Sequence, residues 1–197
     1  TEYCESKNLK INKCGKLVVA KNEQELSQLD TLLERGRKNG VHLQDLSAAE
    51  ARSIEPRVKT HQRALFSPAT STVDPKEVLQ ALQNDALHEG VEIRTGIRYL
   101  GRTKSGVVTS SGNIDSKYVV NSAGLHADKI GRDFGFSMNH RILPFKGLYL
   151  YSTEAPGSLR TNIYPVPDLR NPFLGVHFTV TVDGHSKIGP TAIPALW

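Results

Sequence analysis

His177 lies in the run Pro172-Phe173-Leu174-Gly175-Val176-His177-Phe178-Thr179-Val180-Thr181-Val182, where apolar and polar residues alternate. Period-two alternation marks a half-buried strand. Val176, Phe178, Val180 and Val182 are therefore expected on one face, with His177, Thr179 and Thr181 on the other. An imidazole titrates near neutral pH, so one on a polar face can take a proton from a substrate hydroxyl. The same position suits a hydrogen-bonded structural or surface histidine, and the pattern leaves both readings open. A second stretch, Val119 to Asp128 (VVNSAGLHAD), ends an apolar run in Ser122, Ala123 and Gly124. Small residues between a strand end and a helix let a ligand approach the backbone. A tight turn, with Asp128 complementing the helix dipole, uses the same residues. In the third stretch, Ile163-Tyr164-Pro165-Val166-Pro167-Asp168, two prolines remove two ladder donors. That predicts a stiff segment at a sheet edge, structural or forming the wall of a cleft. Arg170 follows closely, with a fork that either pairs with a carboxylate or stays solvated.

Other chemistries lack their residues. The remaining histidines show no metal-ligand spacing, and GxSxG, Walker and GxGxxG loops are absent from the sequence. Cys4 and Cys14 have no Cys or His partners at zinc spacing, which predicts free thiols and no metal. The net charge of +5 comes from scattered Lys and Arg residues. This describes a solvated surface better than a nucleic-acid interface, and suits a small anionic substrate. No apolar stretch approaches the roughly 20 residues of a membrane helix, and no signal peptide is visible. The expected location is cytoplasmic or peripheral to a membrane. The chain opens on Thr1 rather than Met, which leaves its natural start open.

The elements that position these residues are α/β in kind. Residues 15–20 predict a short strand. Asn22 and Glu25 open a helix carrying Leu26, Leu29, Leu32 and Leu33 on one face, ending at Gly40. Ser47 and Glu50 form a second capping box, stopped before Pro56. Asp74 and Pro75 start a third helix, expected to reach about Glu89 and bury Val78, Leu82 and Leu87. A strand from Val91, a polar hairpin around Ser110 to Asn113, a strand at Tyr118-Val119-Val120 and a helix from Asp128 follow. From Ile142 the pattern predicts antiparallel sheet, with Asp183-Gly184 as a two-residue hairpin turn.

Several segments together resemble one family. They are Cys14 to Ala20, Val119 to Asp128, Leu143-Pro144-Phe145-Lys146-Gly147, Ile163 to Asp168, Pro172 to Thr179, and Ile188-Gly189-Pro190-Thr191-Ala192, in that order. The chain is similar to the L-2-hydroxyglutarate dehydrogenase/oxidase family, within the FAD-dependent, amino-acid-oxidase-like enzymes. The resemblance implies an internal fragment of a longer protein, because the family's first strand and its GxGxxG loop would precede Thr1. Its fold would be an incomplete FAD-binding Rossmann-like domain plus an antiparallel-sheet substrate domain. The implied division is residues 1–72 in the substrate domain, 73–136 in the FAD-binding domain and 137–197 covering flavin and substrate. In the parent enzyme a hydride would pass from the carbon of a small 2-hydroxy acid to the flavin while a base takes the hydroxyl proton.

His177 is the implied base, and Lys146, Tyr164 and Arg170 the implied substrate-binding residues. Ile97, Ser122, Ala123, Gly124, Asp128, Gly189 and Pro190 would face FAD, which the fragment alone is not expected to hold tightly. Lys146 stands where the family's PF-R-G segment has arginine, and a lysine cannot clamp a carboxylate bidentately. The rival readings are a related amino-acid or glycerol-3-phosphate oxidase and a non-catalytic binding module. The electron acceptor is left open.

Overall fold

The computed structural model describes residues 1–168 and 170–195. In chain order its elements begin with α1 (Glu2–Ser6), β1 (Ile11–Asn12), β2 (Lys16–Val19), α2 (Leu26–Lys38), β3 (Gln44–Ser47) and α3 (Ala48–Ile54). Next come β4 (Arg63–Ser67), β5 (Thr72–Val73), α4 (Pro75–His88), β6 (Tyr99–Arg102), β7 (Gly106–Thr109), β8 (Gly112–Asp115) and α5 (Ala127–Asp133). The last are β9 (Phe145–Lys146), β10 (Leu150–Tyr151), β11 (Asn162–Pro165), β12 (His177–Val180), β13 (Ser186–Gly189) and β14 (Ile193–Pro194). This is the expected mixed α/β chain. Residues 1–85 and 147–192 form one compact unit; residues 86–146, with 193–195 among the described residues, form a second.

The first unit is built on a seven-stranded sheet in the order β10-β13-β12-β11-β2-β4-β3. β2 runs antiparallel to β4 and parallel to β11, so the first and last thirds of the chain share one sheet. Its two faces are sorted by the alternation of β2. Leu17 and Val19 pack with Ala51 and Val58 beneath α3. Val18 and Leu65 pack with Leu26, Leu29, Leu32 and Leu33, the apolar stripe of α2. Leu17, Leu29 and Leu65 are fully buried, each worth about 1.5–3 kcal/mol.

The helix starts follow their local signals. Asn22 accepts the N–H of Glu25 through a single 3-10 turn that leads into α2. The Glu25 carboxylate reaches back to the Lys21 N–H at 2.7 Å. At α3 the reciprocal box is complete: Ser47 Oγ accepts the Glu50 N–H and Glu50 Oε2 accepts the Ser47 N–H.

Four expectations are corrected. The Tyr164 segment lies at the centre of the sheet, not at its edge. Pro165 is the last residue of β11, and the Val166 N–H makes the next bond, to Val19 O, so the missing donor interrupts nothing. The hairpin after β12 has three loop residues, Val182, Asp183 and Gly184, with Thr181 and His185 bonded across it and Gly184 at φ 82°. The burial of β12 departs from expectation at two residues: His177 is 4% exposed and Phe178 40%, while Val180 is buried as expected. Phe178 shares a face with Ile188 and Leu150, beyond the reach of α3, whereas His177 packs against an aromatic neighbour on β11. Finally, α4 buries none of its residues, and Leu82 and Leu87 are exposed. Among the described residues no apolar layer covers that face.

The second unit carries the three-stranded meander β6-β7-β8, whose β7-β8 turn is the expected polar hairpin. The expected strands at 91–93 and 118–120 are not formed. An extended segment becomes a strand only when its N–H and C=O groups meet a neighbouring strand, and no such pairing is present among the described residues. Tyr118 and Val120 are accordingly 87% and 86% exposed.

Candidate functional site

On the α2 face, past the end of the apolar stripe, the sheet changes character. Ile163 pairs with Phe178, which sets Tyr164 opposite His177 on the neighbouring strand; His177 in turn faces Gly189 on β13. Tyr164, His177 and Gly189 thus form one row across three strands. The rings of Tyr164 and His177 stack at 3.8 Å between centroids, 23° from parallel. Gly189 leaves the row low, and Tyr149 fills the space. A Cβ on Gly189 would stand 2.6 Å from Leu148 O and 2.7 Å from the Tyr149 ring, and φ is 153°. Only glycine fits there.

His177 Nδ1 lies 2.8 Å from the carbonyl oxygen of Gly175. A carbonyl can only accept, so Nδ1 carries the hydrogen and the neutral ring keeps its lone pair on Nε2. The backbone therefore selects the tautomer whose proton-accepting nitrogen is Nε2. Burial pushes the Tyr164 phenol above its ordinary pKa, an effect partly offset by the neighbouring Thr179 side chain. Two ammonium groups flank the row. Lys16 Nζ is 5.3 Å from the Tyr164 ring centroid, and Lys187 Nζ is 4.5 Å from that of Tyr149. Lys187 lies across from Thr179 in the ladder. Neither lysine meets a carboxylate among the described residues. The result is a basic, aromatic face with one oriented proton acceptor, suited to a small organic anion.

Asn162, two residues before Tyr164 on the same face of β11, anchors the row. It is 2% exposed, and its Oδ1 accepts the Val180 N–H at 2.8 Å. Its Nδ2 donates to Gly15 O at 2.8 Å and to Cys14 Sγ at 3.2 Å. The side chain thereby joins β11 to both neighbours where β11 and β12 share a single ladder pair.

The predicted residues divide between the units. His177, Tyr164 and Gly189 come together, and Pro190 follows Gly189 against Gly147. Arg170 belongs to the same unit, but its guanidinium is 92% exposed and holds Asp168 through Nε–Oδ1 and Nη2–Oδ2 contacts of 3.0 Å. Lys146 lies in the second unit on β9, paired with Ile193. Also in the second unit, Ile97 is half-buried beside the meander. Ser122 and Gly124 are exposed, and Ala123 lines a hollow of about 540 Å³ with Tyr99, His126, Lys129 and Ile130. Asn121 shapes this turn, accepting the Ala123 N–H and donating to Ala127 O. Asp128 is tied within the unit. Burial raises its pKa, but the bonds from Arg132 and the Ile142 N–H outweigh this and hold it below the ordinary value. Tyr149, Lys187, Lys16 and Asn162 were missed from the sequence. Tyr149-Leu150-Tyr151 does alternate, but only the register brings it over Gly189. No group of three potential metal ligands occurs among the described residues, and none of their helices is long and apolar enough to cross a membrane.

The site also bears on a flavin. Beyond its chain neighbours and its own helical turn, no atom lies within 4 Å of where a Gly124 Cβ would stand, and Ser122 and Gly124 are exposed, so this turn is open to close approach. The stacked, basic face around His177 suits a redox ring and an anionic substrate. Each unit, taken by itself, thus carries residues that suit a flavin; the 197 residues contain no glycine-rich loop for its pyrophosphate.

Comparison with known proteins agrees. A mitochondrial L-2-hydroxyglutarate dehydrogenase of Nematostella vectensis is 36% identical over 216 residues, covering 98% of this chain and 47% of that protein. An L-2-hydroxyglutarate dehydrogenase of Salmonella houtenae is 34% identical over 200 residues, with 98% and 47% covered. The chain spans about half the length of these curated relatives. The solved structure of L-proline dehydrogenase from P. horikoshii superposes with a TM-score of 0.87 at 21% identity, covering 100% of this chain and 54% of that one. At that identity the likeness speaks for the fold alone. Residues 1–196 match the family described as FAD dependent oxidoreductase, DAO, and the chain belongs to that family.

Proposed function

We propose that this chain is the substrate-facing part of an enzyme oxidising L-2-hydroxyglutarate, or a similar small 2-hydroxy acid, to the 2-oxo acid. The observation that carries the reading is the His177 ring, held by Gly175 O and stacked on Tyr164 with its basic Nε2 free of that bond. FAD, when bound, supplies the acceptor for the hydride leaving the substrate carbon. His177 Nε2 takes the hydroxyl proton, and the O–H electron pair closes the new carbonyl as the C–H pair leaves with the hydride. Tyr164 offers a hydroxyl to a substrate carboxylate, and the surrounding lysines supply positive charge. Lys146 and Arg170 remain candidates for the second carboxylate; Arg170 serves only by exchanging Asp168 for substrate. Ser122, Ala123, Gly124, Gly189 and Pro190 provide backbone surface for the cofactor, with Ile97 and Asp128 supporting it. A location in the cytoplasm or on a membrane surface goes with this reading.

The test uses the full-length protein. Purified, it is expected to be yellow and to be bleached anaerobically by L-2-hydroxyglutarate. His177→Gln should slow that bleaching by about 10²–10⁴-fold, the usual share of a positioned general base. Flavin reduction at the wild-type rate in this variant removes His177 from the role. Bleaching by amino acids or glycerol 3-phosphate, and by no 2-hydroxy acid, overturns the substrate class.

A further inference from the structure

We infer that Lys187 makes the site selective for diacids: its ammonium takes the carboxylate at the far end of a 2-hydroxy diacid whose hydroxyl lies at His177. The inference deepens the proposed function and rests on its reading of His177 as the base. Lys187 lies two residues before Gly189 on β13, and side chains two apart on a strand share a face. It pairs with Thr179, which makes it the diagonal neighbour of His177. Diagonal neighbours across an antiparallel pair stand about 7–8 Å apart, within reach of a long side chain. In 2-hydroxyglutarate three bonds separate the hydroxyl-bearing carbon from the distal carboxyl carbon, so one molecule bridges the imidazole and the ammonium.

The ammonium is held without being neutralised. Its Nζ lies 4.5 Å from the Tyr149 ring centroid and 5.8 Å from that of Tyr151, and two aromatic faces restrain a cation while leaving its charge in place. The nearer ring is the one that fills the space over Gly189, so the ammonium leans toward the row that holds His177. Lys187 also walls a hollow of about 530 Å³ with Tyr151, Thr179 and Thr181. The carboxylates on that hollow are already engaged, Asp183 by Lys10 and Asp74 by the Lys76 N–H at 2.8 Å. Arg170 must release Asp168 before it can serve, whereas Lys187 pairs with no carboxylate among the described residues. A lysine head is a compact charge with three donors, which suits a carboxylate at the end of a flexible chain. A monoacid of the same length would set a methyl group against that charge.

The test compares the full-length holoenzyme with K187M and K187R on two substrates of equal chain length, L-2-hydroxyglutarate and L-2-hydroxypentanoate. K187M is expected to lower kcat/KM for the diacid by about 10- to 100-fold, chiefly through KM, the share of one hydrogen bond to a charged group. The monoacid should be oxidised no more slowly than by wild type. K187R keeps the charge and should keep most of the preference for the diacid. A K187M enzyme with the wild-type preference overturns the inference, as does one impaired equally on both substrates.

A second readout needs no turnover. Glutarate and pentanoate offer the same contrast without a hydroxyl, and calorimetry gives their Kd values. Glutarate should bind K187M about 10- to 100-fold more weakly than wild type, with pentanoate unchanged. Unchanged glutarate binding overturns the inference, as does a wild-type protein that binds glutarate no more tightly than pentanoate. Should the methionine variant not fold, K187Q carries both measurements. Failure of wild-type holoenzyme to oxidise any 2-hydroxy acid would instead refute the proposed function, while the glutarate titration still judges Lys187.

Discussion

Arg170 reaches back two residues to Asp168 and holds both of its oxygens. The pairing lowers the Asp168 carboxyl to about 2, chiefly through the side-chain bond. A carboxylate with a depressed folded-state pKa contributes stability that is fully present above its unfolded value, near 3.9, and is lost as pH falls toward 2. Both side chains are open to water, so the stability at stake is small. The sharper observable is the titration itself. In Arg170→Gln the Asp168 carboxyl, followed by NMR, should titrate near its ordinary value; a midpoint still near 2 would show that Arg170 is not the cause. At single residues, what was legible in the sequence was residue type and the candidates it suggests. A histidine among hydroxyl residues and a proline-braced tyrosine were visible as candidates. Their stacking was not, because it depends on which residue of β11 faces which residue of β12, and one residue of slip would reverse every side chain.

At the scale of elements, Asn162 does what a ladder would otherwise do. β11 and β12 share one backbone pair, and the amide side chain supplies the next link on each side. Asn162→Leu, close in volume, leaves the Val180 N–H without its partner in a buried place, while the Gly15 carbonyl keeps the Asn162 backbone N–H. The expected loss is about 1–3 kcal/mol in chemical denaturation. A loss under about 0.5 kcal/mol would mean that the strands hold together without it. Helix starts were readable from the sequence because a cap is a local arrangement of three or four residues, as at Ser47 and Asn22. Strands at 91–93 and 118–120 were over-read for the opposite reason: β-rich residues supply a preference, and only a neighbour makes a strand.

For the molecule as a whole, these two segments separate what the sheet protects from what it does not. Amides of β2, β4, β11 and β12 lie inside the seven-stranded ladder and should exchange slowly with solvent. Those of residues 91–95 and 118–120 have no ladder and should exchange orders of magnitude faster in this chain. Hydrogen exchange followed by mass spectrometry reads both at once, and equal protection would contradict the unpaired state. Fold class was legible at this scale from alternating helix and strand signals. The union of the chain's two ends was not, since a central strand drawn from residues 162–165 leaves no local mark on residues 16–19. That union bears on synthesis. Asn162 and the Gly15 carbonyl it bonds are 147 positions apart, so a nascent chain emerges with β2, β3 and β4 made and one flank of β2 bare. Until β11 is made, that flank is an open template for a wrong partner. The histidine, tyrosine and glycine of the candidate site all arrive on the late strands. Chains cut short before them would lack the candidate site and be prone to associate, and a chaperone holding β2 until β11 follows would guard both the sheet and the site built on it.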